Sequence, residues 1–364
     1  MDRNPKPNHM NFRPLVLTSL LAMLSILAAM DIAHLTHLVG HFLLMIALGV
    51  LAVIFMTCDR SIFVLNTVAL LIILFFASGR SLDVALIGFV LILGALLLST
   101  AVSKKSAKTS AVLTVAVTVS LGYILVAALL YAADGNSLAP ADLFEKLNGI
   151  FDSIKALMAD VIRANVDALP EEVLAYYYER FEATKEILLE SMLVTMESFL
   201  DLVQLLLPGC FVFLAQTMAY IGVSSFEKIA GLVRCDVILP EARWRLFPTQ
   251  ITCIVYIIVT SAYLLTGFFS SASTFLILVM NFWIALMPVM IACGFNGLIM
   301  RLKHPRFRKS MIFILILFAA ACLFRTDIAL SFGIFMLTFM GAQDVSLART
   351  AEVAERKRRN SDEG

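Results

Sequence analysis

The residues best suited to chemistry sit where an apolar chain should have none. The stretch SMLVTMESFLDLVQLLLPG (191–209) carries Glu197, Asp201 and Gln204 into one of the most apolar parts of the sequence, and Pro208 follows a turn later. At 3.6 residues per turn, Glu179, Glu186, Glu190, Glu197, Asp201 and Gln204 share one narrow helical face, opposite Leu188, Phe199 and Leu206. A carboxylate at the centre of a bilayer costs roughly 2.5–3.5 kcal/mol, so this stripe needs water or a partner. Two readings follow. Either Glu197 and Asp201 are solvated at the outer membrane interface, or Asp201, Gln204 and Gln216 line an outward-facing cavity that binds a ligand. Pro208 and Gly209 mean a kink or unwinding, tolerated in a membrane only where the freed backbone groups find partners. A broken helix beside acidic groups is the arrangement of many transporter sites.

A second constellation is DIAHLTHLVGH, which puts His34, His37 and His41 on one helix face with Asp31 nearby. Histidines at i+3 and i+4 spacing can chelate zinc or another transition metal. The alternative is an interfacial turn, because no fixed motif such as H-E-x-x-H accompanies them.

Basic and aromatic residues suggest contacts with lipid or a partner. Trp244, between Arg243 and Arg245, fits a headgroup-level belt. The run RLKHPRFRK supplies Arg301, Lys303, Arg306, Arg308 and Lys309, which anchor a span to anionic lipid or dock an acidic partner. Asp344 lies among basic residues just past the last span and is placed to pair with Arg349. Asn281 and Asn296 are uncharged polar groups expected to bond neighbouring helices. Enzyme motifs do not appear: there is no G-x-x-x-x-G-K-[ST], no G-x-S-x-G and no Rossmann glycine pattern. The six cysteines are scattered singly, so no disulfide, cysteine metal site or cofactor is expected.

These groups must be positioned by helices. The chain is 60% hydrophobic and only 15% charged, which is the composition of a polytopic membrane protein and not of a soluble domain. The expected fold is all-α, a transmembrane bundle of about ten spans. Apolar runs place them at 14–30, 42–57, 61–77, 84–102, 110–132, 202–223, 250–270, 274–299, 309–324 and 328–343, the last two being either two spans or one re-entrant hairpin. The first run reads as an uncleaved span because no small-x-small cleavage site follows it. Four regions result: five spans in 1–132, an extracytoplasmic hairpin in 133–201, about five spans in 202–343, and a basic tail in 344–364.

Lys and Arg collect in alternate loops, which places both termini in the cytoplasm of a bacterial plasma membrane. Segment 133–201 carries 14 of the 27 acids against five bases, as a translocated region would. Within it, Leu143, Leu147, Ile150, Phe151, Ile154, Leu157, Met158, Val161 and Ile162 mark an amphipathic helix. A second helix is expected to start at Pro170 and continue to Pro208. The net charge of +1 gives no reason to expect nucleic acid.

The second half resembles the YybS-like family of bacterial membrane proteins, whose activity is not established. LLLPGCFVFLAQTMAYIGVSSFEKIAG resembles the family's proline-bearing span, and LPEARWRLFPTQ its Trp-Pro element, with Trp244 and Pro248 one residue further apart than a strict W-x-x-P. FGIFMLTFMGAQDVSLAR resembles its closing G-x-x-D-x-x-x-x-R through Gly341, Asp344 and Arg349. That family is thought to be distantly similar to the substrate-binding subunits of energy-coupling-factor importers. The resemblance therefore implies a separate ATPase partner, docked on the small-residue face Thr18, Ala22, Ser25 and Ala29. The functional expectation is a non-enzymatic component that binds or transports a small solute. The alternative is a membrane scaffold that holds a partner protein of the cell envelope.

Overall fold

The structure is a computed structural model, and it describes residues 12–34, 38–182, 184–233, 250–266, 274–303, 305–324 and 332–341. Every regular element among the described residues is an α-helix. In chain order they are α1 (Phe12–His34), α2 (Leu38–Thr57), α3 (Arg60–Ala77), α4 (Leu82–Ser103), α5 (Lys108–Ala133) and α6 (Pro140–Asp167). Then come α7 (Glu171–Phe181), α8 (Lys185–Leu232), α9 (Gln250–Thr266), α10 (Thr274–Lys303), α11 (Pro305–Phe324) and α12 (Phe332–Gly341). Helices α1 to α5, α8 and α10 are each long and apolar enough to cross a membrane, whereas α9 and α12 are apolar but shorter.

The core forms where apolar helices can approach closely. α2 is the most enclosed, packing on α1, α3, α4 and α8 and fully burying Leu44, Met45, Leu48, Leu51 and Ile54. Its contact with α8 is backbone on backbone. A Cβ added at Gly49 would lie 2.7 Å from the Phe226 nitrogen and 2.8 Å from the Gly222 oxygen. Small residues permit such crossings, and packing at this distance replaces the hydrophobic drive that lipid cannot supply.

One expectation about helix ends is corrected. The second helix of segment 133–201 does not run unbroken from Pro170. Glu182 takes a left-handed conformation at φ 52° and ends α7, its N–H donating to the Tyr178 carbonyl. Thr184 then caps α8, accepting from the Ile187 N–H at 3.4 Å. Glu186 in the first turn holds its carboxyl below the usual range, because its own backbone N–H and the Thr184 hydroxyl bond to the ionised form. The helix passes through Pro208, as the expected span 202–223 requires. α8 continues for 48 residues to Leu232. At 1.5 Å per residue that is about 72 Å, over twice the ~30 Å of a bilayer's apolar layer.

Named contacts set the relative levels of the helices. α5 begins beside the C-terminal part of α8, where Lys108 meets Glu227, and further along it Tyr123 meets His41 of α2. Met45 and Gly49 of α2 lie against Gly222 and Phe226, so α2 and α8 run parallel and α5 runs against both. At equal rise per residue, the end of α5 at Ala133 comes level with about Leu202 of α8. α6 also runs against α8: Asn148 meets Gln204, Lys155 meets Asp201, and Asp167 meets Lys185.

Candidate functional site

The acidic face of α8 is occupied. Lys155 of α6 donates to the Asp201 carboxylate at 2.6 Å, and the Gln204 side-chain amide donates to the Asn148 oxygen at 2.7 Å. The direct hydrogen bond it donates to Asp201 holds the Lys155 ammonium above the usual lysine range. Glu197 is exposed one turn further out. Glu179, expected to continue the stripe, lies on α7, beyond the break at Glu182. The polar stripe is therefore the docking face for α6, with Asp201 still 59% exposed in its side chain. Asn148 and Lys155 are spaced two helical turns apart, and this was the legible but unused signal that α6 would present partners to α8. A concavity of about 1110 Å³ is an open groove along the first half of α6 and beside Tyr131.

Just below the stripe, the chain solves the problem that Pro208 creates. Proline removes a backbone donor and strains the preceding turn. Asn281 of α10 responds with its side-chain amide. Its oxygen accepts from the Gly209 N–H at 2.7 Å, and its nitrogen donates to the Leu205 carbonyl at 2.9 Å. Those two backbone groups are the pair that an uninterrupted helix joins to each other. The same nitrogen reaches the Ile277 carbonyl at 3.0 Å within α10. The approach depends on glycine: a Cβ at residue 209 would lie 2.8 Å from the Asn281 backbone oxygen and 2.9 Å from its Cα. Asn281 thus bonds a neighbouring helix as expected, while Asn296 is exposed. Gln216, two turns beyond Pro208, buries its side-chain oxygen without a hydrogen-bond partner.

Deeper still is an ion pair that sequence reading did not single out. Lys108 Nζ lies 2.5 Å from Glu227 Oε2 and 5.7 Å from the centre of the Tyr220 ring. The lysine side chain is only 9% exposed, the glutamate 39%. Both charges oppose the dipoles of their own helices, lysine in the first turn of α5 and glutamate near the end of α8. Pairing across the two helices offsets that penalty. Tyr220, Ser224 and Glu227 recur at helical spacing on one face of α8, which is the pattern that would have found the site.

Of the histidine constellation, His41 and the nearby Asp31 are described. His41 bonds Tyr123 through Nδ1 at 2.9 Å, and Asp31 accepts from the Gly40 N–H at 2.7 Å, closing the α1–α2 hairpin. His37 and the side chain of His34 lie outside the described residues. Among the described residues, no three His, Cys, Asp or Glu side chains are gathered as a metal site.

Of the basic and aromatic candidates, Arg301 and Lys303 stand in the last turn of α10, where positive charge suits the helix dipole. Arg308 and Lys309 are exposed at the start of α11. The side chain of Arg306, and Trp244 and Asp344 altogether, lie outside the described residues. The small-residue face of α1 packs inside the chain: Ser25 and Ala29 are fully buried, and Thr18 and Ala22 half-buried.

Comparison with protein-family models, with curated proteins and with solved structures returns no match to this chain. The family resemblance rests on its three short motifs. Of these, Pro208 and Gly341 are described: a Cβ at Gly341 would collide with the Met290 carbonyl of α10.

Proposed function

We propose that this protein is a non-enzymatic integral membrane component of a bacterial plasma membrane that binds or moves a small solute. The observation that carries the proposal is the Asn281 bridge across Gly209 and Leu205 beside Pro208, one to two turns along α8 from Asp201 and Gln204. An amide that already satisfies both backbone groups keeps them partnered when the helix flexes there. Lys155 and Asn148 then act as the resident occupants of the polar face, and a solute enters by taking their place on Asp201 and Gln204. Ten spans, cytoplasmic termini, an outward α6–α7 segment and reliance on a separate ATPase belong to this reading. The test is a thermal-shift panel of vitamins, amino acids and metal ions on the purified protein and on Asp201→Ala. A ligand that stabilises the parent and not the variant supports the proposal; the same response from both across the whole panel contradicts it.

A second reading is a membrane scaffold for an envelope protein. It is favoured by the length of α8 beyond the apolar layer and by the exposed apolar residues of α6. Affinity purification in mild detergent separates the two: a co-purifying ATPase favours solute transport, and envelope proteins without one favour the scaffold.

A further inference from the structure

Gln216 is a polar group with nothing to answer it. Residues 202–226 of α8 hold no Asp, Glu, Lys or Arg, and Gln216 lies near the middle of that run. Its side chain is half-buried, and its side-chain oxygen is enclosed and meets no hydrogen-bond donor. Thr217 beside it shows the usual escape, donating to the Phe213 carbonyl at 2.8 Å. An amide oxygen kept from water and left unpaired is unfavourable, so it calls for a partner in another state of the molecule.

Its place on α8 says where that partner comes from. Asp201, Leu205, Gly209 and Gln216 follow one another at spacings of four, four and seven residues, so they share one face of the helix. Asp201 at one end is 59% exposed in its side chain. Gln216 is about 22 Å further along. Between them α10 covers the face, so close that Gly209 has no room for a Cβ. Packing differs on the two sides of this contact. Before it α8 buries Met196 and Leu206; after it Ala219, Val223 and Phe226 are fully enclosed. The loosely packed side is the one free to move. Separation there leaves few groups unpaired. The Gly209 N–H and the Leu205 carbonyl are helical partners that close their own rung when Asn281 withdraws, and the Asn281 nitrogen keeps the Ile277 carbonyl.

We propose that the Asn281 contact is a gate, and that Gln216 behind it is a second contact for the solute, accepting an N–H or O–H from an organic cation that enters past Asp201. The inference rests on the outward solute site proposed above. The gate is closed in this structure. It opens when α6 and the first part of α8, fastened together by Lys155 and Asp201, swing away from α10. The charge of the solute follows from the entrance. Asp201, Asp152 and Glu197 all act on the Lys155 ammonium, so a cation replaces that lysine and an anion is repelled.

The test is thiol labelling in intact cells, in a chain with the native cysteines replaced. The probes are two membrane-impermeant methanethiosulfonates, one bearing trimethylammonium and one sulfonate. Ser198→Cys, at an exposed position, reports the outer surface and reacts in every background. Gln216→Cys reacts slowly with both probes. Adding Lys155→Met, which frees the first part of α8, or Asn281→Ala, which frees α10, raises its rate with the cationic probe on the order of tenfold, as when an open state grows from ~1% to ~10%. The sulfonate probe stays slow. Gln216→Leu keeps or raises the unfolding temperature, because it removes an unpaired polar atom. Gln216→Cys that stays slow in both variants while Ser198→Cys reacts overturns the gate and leaves the outward site standing. Equal rates with the two probes overturn the assignment of a cation. A lower unfolding temperature for Gln216→Leu shows an amide bonded within the bundle, and overturns its role as a solute contact. No reaction at Ser198→Cys overturns the outward site itself.

Discussion

The side-chain amide of Asn281 stands between the Gly209 N–H and the Leu205 carbonyl, at 2.7 Å and 2.9 Å, and so takes the place of a helical rung one residue past Pro208. A hydrogen-bonded splice of this kind keeps the backbone groups beside Pro208 partnered. It also links two helices that each contain an internal proline, since α10 carries Pro288.

The splice predicts an unequal pair of glycine variants. Gly209→Ala drives a methyl into the Asn281 backbone and destabilises by about 1–3 kcal/mol, the range for overpacking. Gly231→Ala, near the end of the same helix with nothing within 4 Å, is neutral or stabilising by up to about 1 kcal/mol. Asn281→Ala loses about 1–2 kcal/mol, the upper range for a polar contact between membrane helices. Unfolding in mild detergent measures all three.

The Lys108–Glu227 pair predicts an asymmetry. Glu227→Leu strands a lysine that is 9% exposed, and removing one partner of a buried pair costs up to about 3–5 kcal/mol. Because the glutamate is 39% exposed, water shares the screening and the loss falls to about 2 kcal/mol. Lys108→Met leaves a carboxylate that water can reach, and costs about 1 kcal/mol. Equal losses in the same unfolding assay contradict this account of the pair.

The contacts of α6 and the start of α8 respond to pH at both extremes, in opposite senses. Lys155 has its folded value raised by Asp201, so its contribution is complete below the unfolded lysine value of about 10.4 and is lost as pH climbs through the folded value. Glu186 has its folded value lowered, so its contribution is complete above the unfolded glutamate value of about 4.3 and is lost as pH falls through the folded value. Nitroxides at Ala156 and Ser198 should therefore separate or broaden in distance only as pH climbs past the unfolded lysine value of about 10.4 and through the raised folded one. The start of α8 should fray only in acid. Asp201→Asn should remove most of the alkaline response.

Much of the architecture was legible because apolar runs of span length say little else. Seven of the expected spans correspond to long apolar helices, and the amphipathic pattern of 143–162 lies within α6. Local signals failed where tertiary contacts decide the outcome. Pro208 read as a kink inside a span, but nothing local names Asn281, 72 residues from Gly209, as the group that answers it. The break at Glu182 was missed because neither Glu nor Ala is a punctuating residue; only Thr184, a good N-cap, marked it. The acid stripe was found as a periodicity, but periodicity alone does not name the lysine and asparagine that answer it. Lys108 counted only as a loop charge, because burial of its side chain depends on Glu227 and Tyr220, more than a hundred residues on.

The central claim is that α8 passes from outside to inside, carrying α6 on its acidic outer half and meeting Lys108 at its inner end. Single cysteines at Asp160 and at Lys228, placed in a chain with the native cysteines replaced, test it in intact cells with a membrane-impermeant maleimide. The account predicts labelling at residue 160 without permeabilisation, and at residue 228 only after it. Labelling at 228 but not at 160 in intact cells would contradict the sidedness, and with it a solute site that opens outward.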